Sequence, residues 1–360
     1  MQFGVGVSTH IANWDIVRYA EELGYDRAWL GDSQMIWSDC YATLALVAQN
    51  TKRIKIGTGV AIAGTRIAPV TAHSIASINV LAPGRVFLGL GTGHTAMRVM
   101  GQDPVRVGEL RDYLRVVRAL LDGKAVEYSY RGRTREIELG HRSRRFVNLD
   151  QRIPIYVAAN GPRVLAMAGE LADGWMTVGG EPEVAGPKLA CIAEGARQSG
   201  RTLPADFHTA FITTSCVLRP DDKLTDPRVV DETGAWIAAE LHFVYELWKD
   251  MGRNDAMVPP HFQGIWPQYL EHVASMSLPE DKRFRQIHDG HLVYLQPAER
   301  RFITSEAIRS SALVGTPDEL IERVRRFEAG GIKEVTLWPP MDCERKVLRD
   351  FAEYVMPAFR

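Results

Sequence analysis

The chain has 360 residues, 46% of them hydrophobic and 24% charged, with a formal net charge of -1 at pH 7. That length suits one large domain or two smaller ones, and no stretch reads as disordered. The charge balance argues against a nucleic-acid footprint. The four scattered cysteines contain no CxxC pair and suggest neither a metal site nor a disulfide framework, and no apolar run approaches the roughly 18 residues of a membrane span.

Strands and helices alternate along the chain. Gln2 to Ser8 sets Phe3, Val5 and Val7 against Gly4, Gly6 and Ser8, which predicts a strand with one bulky face and one face open for a ligand, with His10 just beyond its end. Ile16, Ala20 and Leu23 share a helical face that stops at Gly24, before a short second strand from Arg27 to Leu30 that ends at Gly31-Asp32-Ser33. A helix from Tyr41 to Gln49 precedes the most informative stretch. There, buried-strand patterns at Ile54 to Ile62 and Val86 to Leu90 flank a helix over Val70 to Leu81, which Pro83-Gly84 terminates. Parallel strands need such a crossover, so this is a βαβ unit whose strands turn glycine-rich at their carboxyl ends, where parallel α/β folds keep their ligands.

Val107, Leu110, Leu114, Val117 and Leu121 mark a long helix. From about 125 to 150 the pattern changes to that of a surface hairpin around Arg131-Gly132-Arg133. Ile153 to Ala159 is the fifth barrel strand, and Asn160-Gly161-Pro162-Arg163 opens a helix. Gly174 to Val178 is the sixth strand, Lys188 to Arg197 a helix, Phe207 to Val217 the seventh strand and Glu334 to Trp338 the eighth. Thr316-Pro317-Asp318-Glu319 is a capping box leading the last crossover helix. Eight β/α repeats predict a closed (β/α)8 TIM barrel, a single domain over 1–360.

The stretch from about 221 to 311 exceeds any ordinary βα connection and reads as an insertion after the seventh strand, with its own helices such as Val230 to Lys249. Loops at that position open on the catalytic face, so Trp248, Phe262, Trp266, Tyr269 and Tyr294 are candidates for a pocket roof. The alternative is that the insertion packs on itself.

Free N–H groups at the helix start after Asn160, with cationic Arg163 beside them, make an anion site; an ordinary capped helix is the plainer account. His94 and His10 follow strand ends, where an imidazole can exchange a proton near neutral pH, although loop histidines are more often structural. Asp32 serves equally as an anchor for a pocket water or as a strand-end cap. Gly89-Leu90-Gly91-Thr92-Gly93 lacks the spacing and the acidic partner of a dinucleotide fingerprint.

Taken in order, Gly57-Thr58-Gly59-Val60, Leu81-Ala82-Pro83-Gly84-Arg85 leading to Gly89-Leu90-Gly91-Thr92-Gly93, Ile153 to Pro162 and Gly169 to Gly174 resemble the bacterial luciferase-like superfamily. Within it the chain is most similar to the methylenetetrahydromethanopterin reductase-like branch. The resemblance covers residues 1 to about 180 and returns at 315–339, and the insertion lies outside it. It implies a non-covalent FMN, or the deazaflavin coenzyme F-420, at the carboxyl ends of the strands. It also implies a non-prolyl cis peptide at Gly59–Val60 behind the ring and a phosphate turn at Asn160, Gly161, Pro162 and Arg163. Val178, ending the sixth strand, joins this cofactor-binding set. Thr92 matches a position where luciferases carry a phosphate-contacting arginine, and His94 one where deazaflavin dehydrogenases place an acid. Asp32-Ser33 matches a site that is usually an acid followed by histidine, and here the histidine is absent.

The leading reading is an FMN-dependent monooxygenase acting with dioxygen on a small organic substrate, supplied by a separate NAD(P)H:flavin reductase. The alternatives are a deazaflavin-dependent reductase or dehydrogenase and a flavin-binding protein without turnover. The resemblance further implies a homodimer or larger assembly through the second and third helices. No positively charged leader precedes the first strand and the cysteines read as reduced, so a cytoplasmic protein is expected, with no metal, nucleic-acid or membrane partner.

Overall fold

The computed structural model describes residues 1–179, 182 and 185–360. The first strands and helices follow in the order β1 (Gln2–Val7), α1 (Asp15–Leu23), β2 (Arg27–Leu30), α2 (Cys40–Asn50), β3 (Lys55–Ile62), α3 (Ala68–Leu81), β4 (Val86–Gly91), α4 (His94–Val99) and α5 (Val107–Leu121). A hairpin, β5 (Val126–Tyr130) and β6 (Arg133–Ile137), precedes β7 (Ile155–Ala158), α6 (Pro162–Leu171), β8 (Gly174–Val178), α7 (Ala185–Gln198), β9 (His208–Thr213) and β10 (Ser215–Val217). The insertion contributes α8 (Pro227–Asp250), α9 (Pro260–Gln263), α10 (Trp266–Ala274), α11 (Phe284–Ile287) and α12 (Ser305–Ser311). The chain then closes with β11 (Leu313–Gly315), α13 (Pro317–Ala329), β12 (Glu334–Leu337) and α14 (Glu344–Tyr354).

Eight parallel strands close a barrel in the order β1-β12-β9-β8-β7-β4-β3-β2, as the repeats predict. Each βα unit follows from local signals. Gly24, at φ +90, ends α1 in the left-handed conformation that glycine adopts without a side-chain clash. Thr316 caps α13 while the Glu319 carboxylate accepts the Thr316 N–H at 2.8 Å. The predicted seventh strand is shorter than expected. It leaves the barrel after Thr213, and Ser215–Val217 pairs instead with Leu313–Gly315 in a separate parallel sheet. The β-branched run Ile212-Thr213-Thr214 passes through this break and hides it, because alternation alone does not report a change of partner.

One core fills the layer between strands and outer helices, with Leu44, Ile75, Leu114 and Leu348 fully buried; each such side chain contributes about 1.5–3 kcal/mol. A second core runs from the barrel interior, at Trp29, Phe87 and Tyr156, through Ile212 and Trp338 into the insertion. The face of β1 expected to lie open for a ligand is filled. A Cβ at Gly4 would overlap the Glu334 carboxylate and sit 2.5 Å from the Thr336 hydroxyl, and one at Gly6 would overlap the Trp338 ring. These glycines make room for interior side chains. Among the described residues, no helix is long and apolar enough to cross a membrane.

Candidate active site

At the carboxyl end of β3 the Gly59–Val60 peptide is cis, and the β3/β4 register shifts between Thr58 and Ala61. The glycines of β4 accommodate that bulge. A Cβ at Gly91 would lie 2.8 Å from Val60 Cγ2 and 3.5 Å from Ala158 Cβ, and one at Gly89 would overlap the Thr58 carbonyl. Val60, Gly91 and Ala158 therefore form a continuous strip across three strand ends, with Val60 and Ala158 left half-buried. Val178, ending β8, is 45% exposed and adds an apolar surface at the same end of the barrel.

Asn160 follows that strip directly. Its Oδ1 accepts the Thr177 hydroxyl at 2.7 Å and the Lys188 ammonium at 2.9 Å, and Lys188 also lies 3.0 Å from Thr177 Oγ1. Counting its partners among the described residues, one ammonium N–H remains for an incoming anion. Burial lowers the Lys188 pKa. In the next turn Pro162 lacks an N–H and the Val164 and Leu165 amides already bond the Gly161 carbonyl, so Gly161 and Arg163 supply the main-chain donors. Nothing lies within 4 Å of where a Gly161 Cβ would stand, and Asn160, Gly161, Pro162 and Arg163 are all exposed. The sequence reading missed Lys188; its only signal is a lysine among the small and apolar residues opening α7. Thr92 is half-buried beside the turn after β4, where its carbonyl accepts the Val105 N–H.

The structure places the three predicted proton-handling residues differently. Asp32 is 3% exposed, and both its oxygens are engaged, by Arg66 Nη1 at 2.6 Å and Gln34 Nε2 at 2.6 Å. Burial raises its pKa, with Arg66 opposing the rise. Arg66 also binds Asp39 at 2.7 Å and lies over the Tyr41 ring, so Asp32 anchors the loops after β2 and β3. His94 opens α4, its ring edge-on to Phe243 of the insertion at 4.8 Å, and its buried Nδ1 has no partner among the described residues. Burial first, then Arg98, lowers its pKa, so a neutral imidazole faces the insertion. His10 is exposed and caps the following short turn without a side-chain bond; the structure does not bring it to the other two.

The insertion lies over this mouth. Ser8 Oγ donates to the Leu292 carbonyl at 3.1 Å, Trp37 stacks on His291 and on Trp338, each at 5.9 Å, and Arg98 reaches Glu246 at 3.2 Å and also Asp250. Three of the aromatic residues expected as its roof pack in its core instead. Phe262, Trp266 and Tyr269 are buried within the insertion's own core, Trp248 bonds Asp255 at 2.8 Å, and Tyr294 is 41% exposed. Their sequence positions could not distinguish a roof from an internal core, and Phe243 and His291 take the facing positions instead.

The cationic turn, the open space at Gly161 and the apolar strip fit a planar ring system carrying an anionic tail. The profile of a protein family described as luciferase-like monooxygenase matches residues 5–334. A 5,10-methylenetetrahydromethanopterin reductase of Methanolobus tindarius is 33% identical over 193 residues, which is 51% of this chain and 55% of that protein, so the match spans about half of either. An F420-dependent glucose-6-phosphate dehydrogenase of Microbacterium testaceum is 26% identical, with 95% of this chain and 91% of that one covered. The solved structure of a coenzyme F420 dependent tetrahydromethanopterin reductase from Methanopyrus kandleri superposes with a TM-score of 0.69 at 22% identity, covering 100% of this chain and 99% of that chain.

Proposed function

Since the chain belongs to the luciferase-like monooxygenase family, we propose that it is an oxidoreductase working with the deazaflavin coenzyme F-420 and passing hydride to or from a small organic substrate. The observation that carries this reading is the continuity of the Val60–Gly91–Ala158 strip with the Lys188-supported Asn160 turn. The two are suited respectively to a ring and to its anionic tail. The names of the relatives support the deazaflavin over the FMN expected from sequence. When bound, that coenzyme supplies the hydride chemistry. The chain's own part is to bind, orient and exclude water. Gly161, Arg163 and Lys188 would hold the anionic tail, Val60 and Val178 would supply apolar contact to the ring, and the insertion covers the mouth. To His94, whose pKa burial lowers and whose buried Nδ1 has no partner among the described residues, we assign the exchange of a proton with substrate.

The family description favours a second reading, an FMN-dependent monooxygenase fed by a separate flavin reductase. Titrating the purified protein with coenzyme F-420 and with FMN, then recording oxygen uptake with the reduced coenzyme, separates the two. The deazaflavin reading expects tighter F-420 binding and no oxygen consumption. It also expects Lys188→Met to weaken binding about 10- to 100-fold, the worth of a charge-assisted hydrogen bond, with Lys188→Arg restoring part. Preferential FMN binding with oxygen uptake would establish the monooxygenase instead. Failure of both coenzymes to bind would overturn the site.

A further inference from the structure

Three histidines of the insertion converge where the sequence suggested no metal site. His242 lies mid-way along α8, and His288 and His291 flank the turn after α11, and one ring nitrogen from each lies within 4.8 Å of the others. His242 and His288 are 2% and 3% exposed, and the Nδ1 atoms of all three are buried without a hydrogen-bond partner among the described residues. The rings stand nearly perpendicular, at 89° for His242 and His288 and 83° for His288 and His291.

The outer nitrogens account for the inner ones. His242 Nε2 lies 2.7 Å from Glu299 Oε1, and His288 Nε2 2.8 Å from Glu246 Oε1. A carboxylate only accepts, so each Nε2 carries the hydrogen, and in that tautomer the buried, unpartnered Nδ1 presents its lone pair. With His291 in the same tautomer, three lone pairs meet in a buried space. A water has two hydrogens to donate and leaves one lone pair unmet, whereas a cation accepts all three.

We propose that His242, His288 and His291 form a divalent transition-metal site, fitted to Zn²⁺, with Glu299 and Glu246 as the carboxylates that orient two of its ligands. Imidazole nitrogen suits zinc, three protein ligands leave an open coordination position, and a carboxylate on the outer ring nitrogen is the usual support of a metal-bound histidine. Zinc–nitrogen bonds of about 2.0–2.1 Å place tetrahedral ligands about 3.3 Å apart, so each ring moves inward by less than about 1 Å. The site joins α8 to the turn that covers the barrel, and His291 stacks on Trp37 at the mouth. Arg98, in the last turn of α4, braces Glu246 from the barrel side. This inference goes beyond the coenzyme assignment and holds whichever coenzyme binds.

The test uses untagged, full-length protein stripped with a chelator, dialysed against Zn²⁺ and separately against Co²⁺, with metal stoichiometry and the visible Co²⁺ spectrum as readouts. The expected result is one equivalent of zinc retained through gel filtration, and Co²⁺ bands of a four-coordinate nitrogen site that zinc displaces. His291→Ala is expected to weaken binding at least 100-fold, and Glu299→Gln by about 10- to 100-fold, with circular dichroism unchanged. Substoichiometric metal on the wild-type protein, or equal affinity in a folded His291→Ala, overturns the proposal. If that variant does not fold, the wild-type Co²⁺ spectrum decides alone, an octahedral spectrum counting against the site.

Discussion

Glu334 is fully buried at the amino-terminal end of the barrel, opposite the mouth, where it accepts from Arg27 Nη1 at 2.9 Å, Trp29 Nε1 at 2.7 Å, His208 Nε2 at 2.9 Å and Thr336 Oγ1 at 2.6 Å. Burial alone would raise its pKa, but the His208 hydrogen bond and the Arg27 charge outweigh it and hold the carboxyl at about 2. Burial also lowers the His208 pKa, so near neutrality the ring donates as a neutral N–H and Arg27 supplies the charge. Because the folded-state pKa is depressed, the stabilisation is complete above the unfolded value of 4.5 and is lost as pH falls from there through about 2. The shift corresponds to about 3 kcal/mol at 1.36 kcal/mol per unit. Denaturant unfolding followed from pH 6 to pH 2 is expected to show that loss, in addition to the general effect of protonating surface carboxylates. Glu334→Gln is expected to lose about 3–5 kcal/mol at pH 7, because Arg27 stays buried with its counter-charge gone, and to flatten the pH dependence. A variant as stable as wild type would show that the carboxylate is dispensable. Glu334 begins β12, and residues at this amino-terminal end of a barrel serve stability.

At the scale of elements, two glycine turns that look alike in sequence do different work. Gly89 is closed in by the Thr58 carbonyl and by Val60 Cγ1 at 3.0 Å, so Gly89→Ala forces β3 and β4 apart at the bulge and is expected to cost about 1–3 kcal/mol. Gly161 has φ -82 and open space where a Cβ would go. Gly161→Ala is therefore expected to leave stability unchanged or raise it by up to about 1 kcal/mol, while weakening coenzyme binding about tenfold or more. Thermal melts and coenzyme titrations of the two variants check the pair. Equal coenzyme affinity in Gly161→Ala would remove the turn from the site. The same contrast explains what the sequence disclosed. Strand order, crossover helices and the hairpin were legible because glycine and proline punctuation and apolar period are local signals, whereas the Gly59–Val60 cis peptide was expected only from the family resemblance. Gly169 and Gly195 were visible as residues but not as the contact they create, where a Cβ on either would overlap a carbonyl of the other helix, at Ile192 and Ala166. Lys188, Glu334 and the three insertion histidines were illegible for a related reason. Their partners stand 28, 126 and up to 57 positions away, and only the closed barrel and its cover bring them together.

At the scale of the whole molecule, most outer helices show water a charged face, as α13 does with Glu322, Arg325 and Glu328. One sector does not. Leu46 on α2 is 38% exposed, and Val70, Val80 and Leu81 on α3 are 44%, 39% and 38% exposed. Val70 and Leu81 stand eleven residues apart, about three helical turns, so they share one stripe with Val80 beside it. Exposed apolar side chains at both ends of one helix face, with His73, Ser74 and Ser77 between them, suit an association surface, and a two-fold axis beside α3 would set the stripe against its own copy. The expected state is a homodimer with these helices buried at the interface. Light scattering coupled to gel filtration is expected to give twice the chain mass at micromolar concentration. Val70→Glu combined with Leu81→Glu should shift it to the monomer, raising the dissociation constant at least 100-fold, because each glutamate must face its symmetry mate. Both positions point away from the barrel interior, so the variant should keep its fold and its coenzyme affinity. A wild-type protein that runs as a monomer, or a double variant that remains dimeric, would move the interface off this face. Dimerisation here would leave the barrel mouth and the histidine cluster free, because α2 and α3 flank the barrel wall while the insertion covers its carboxyl end.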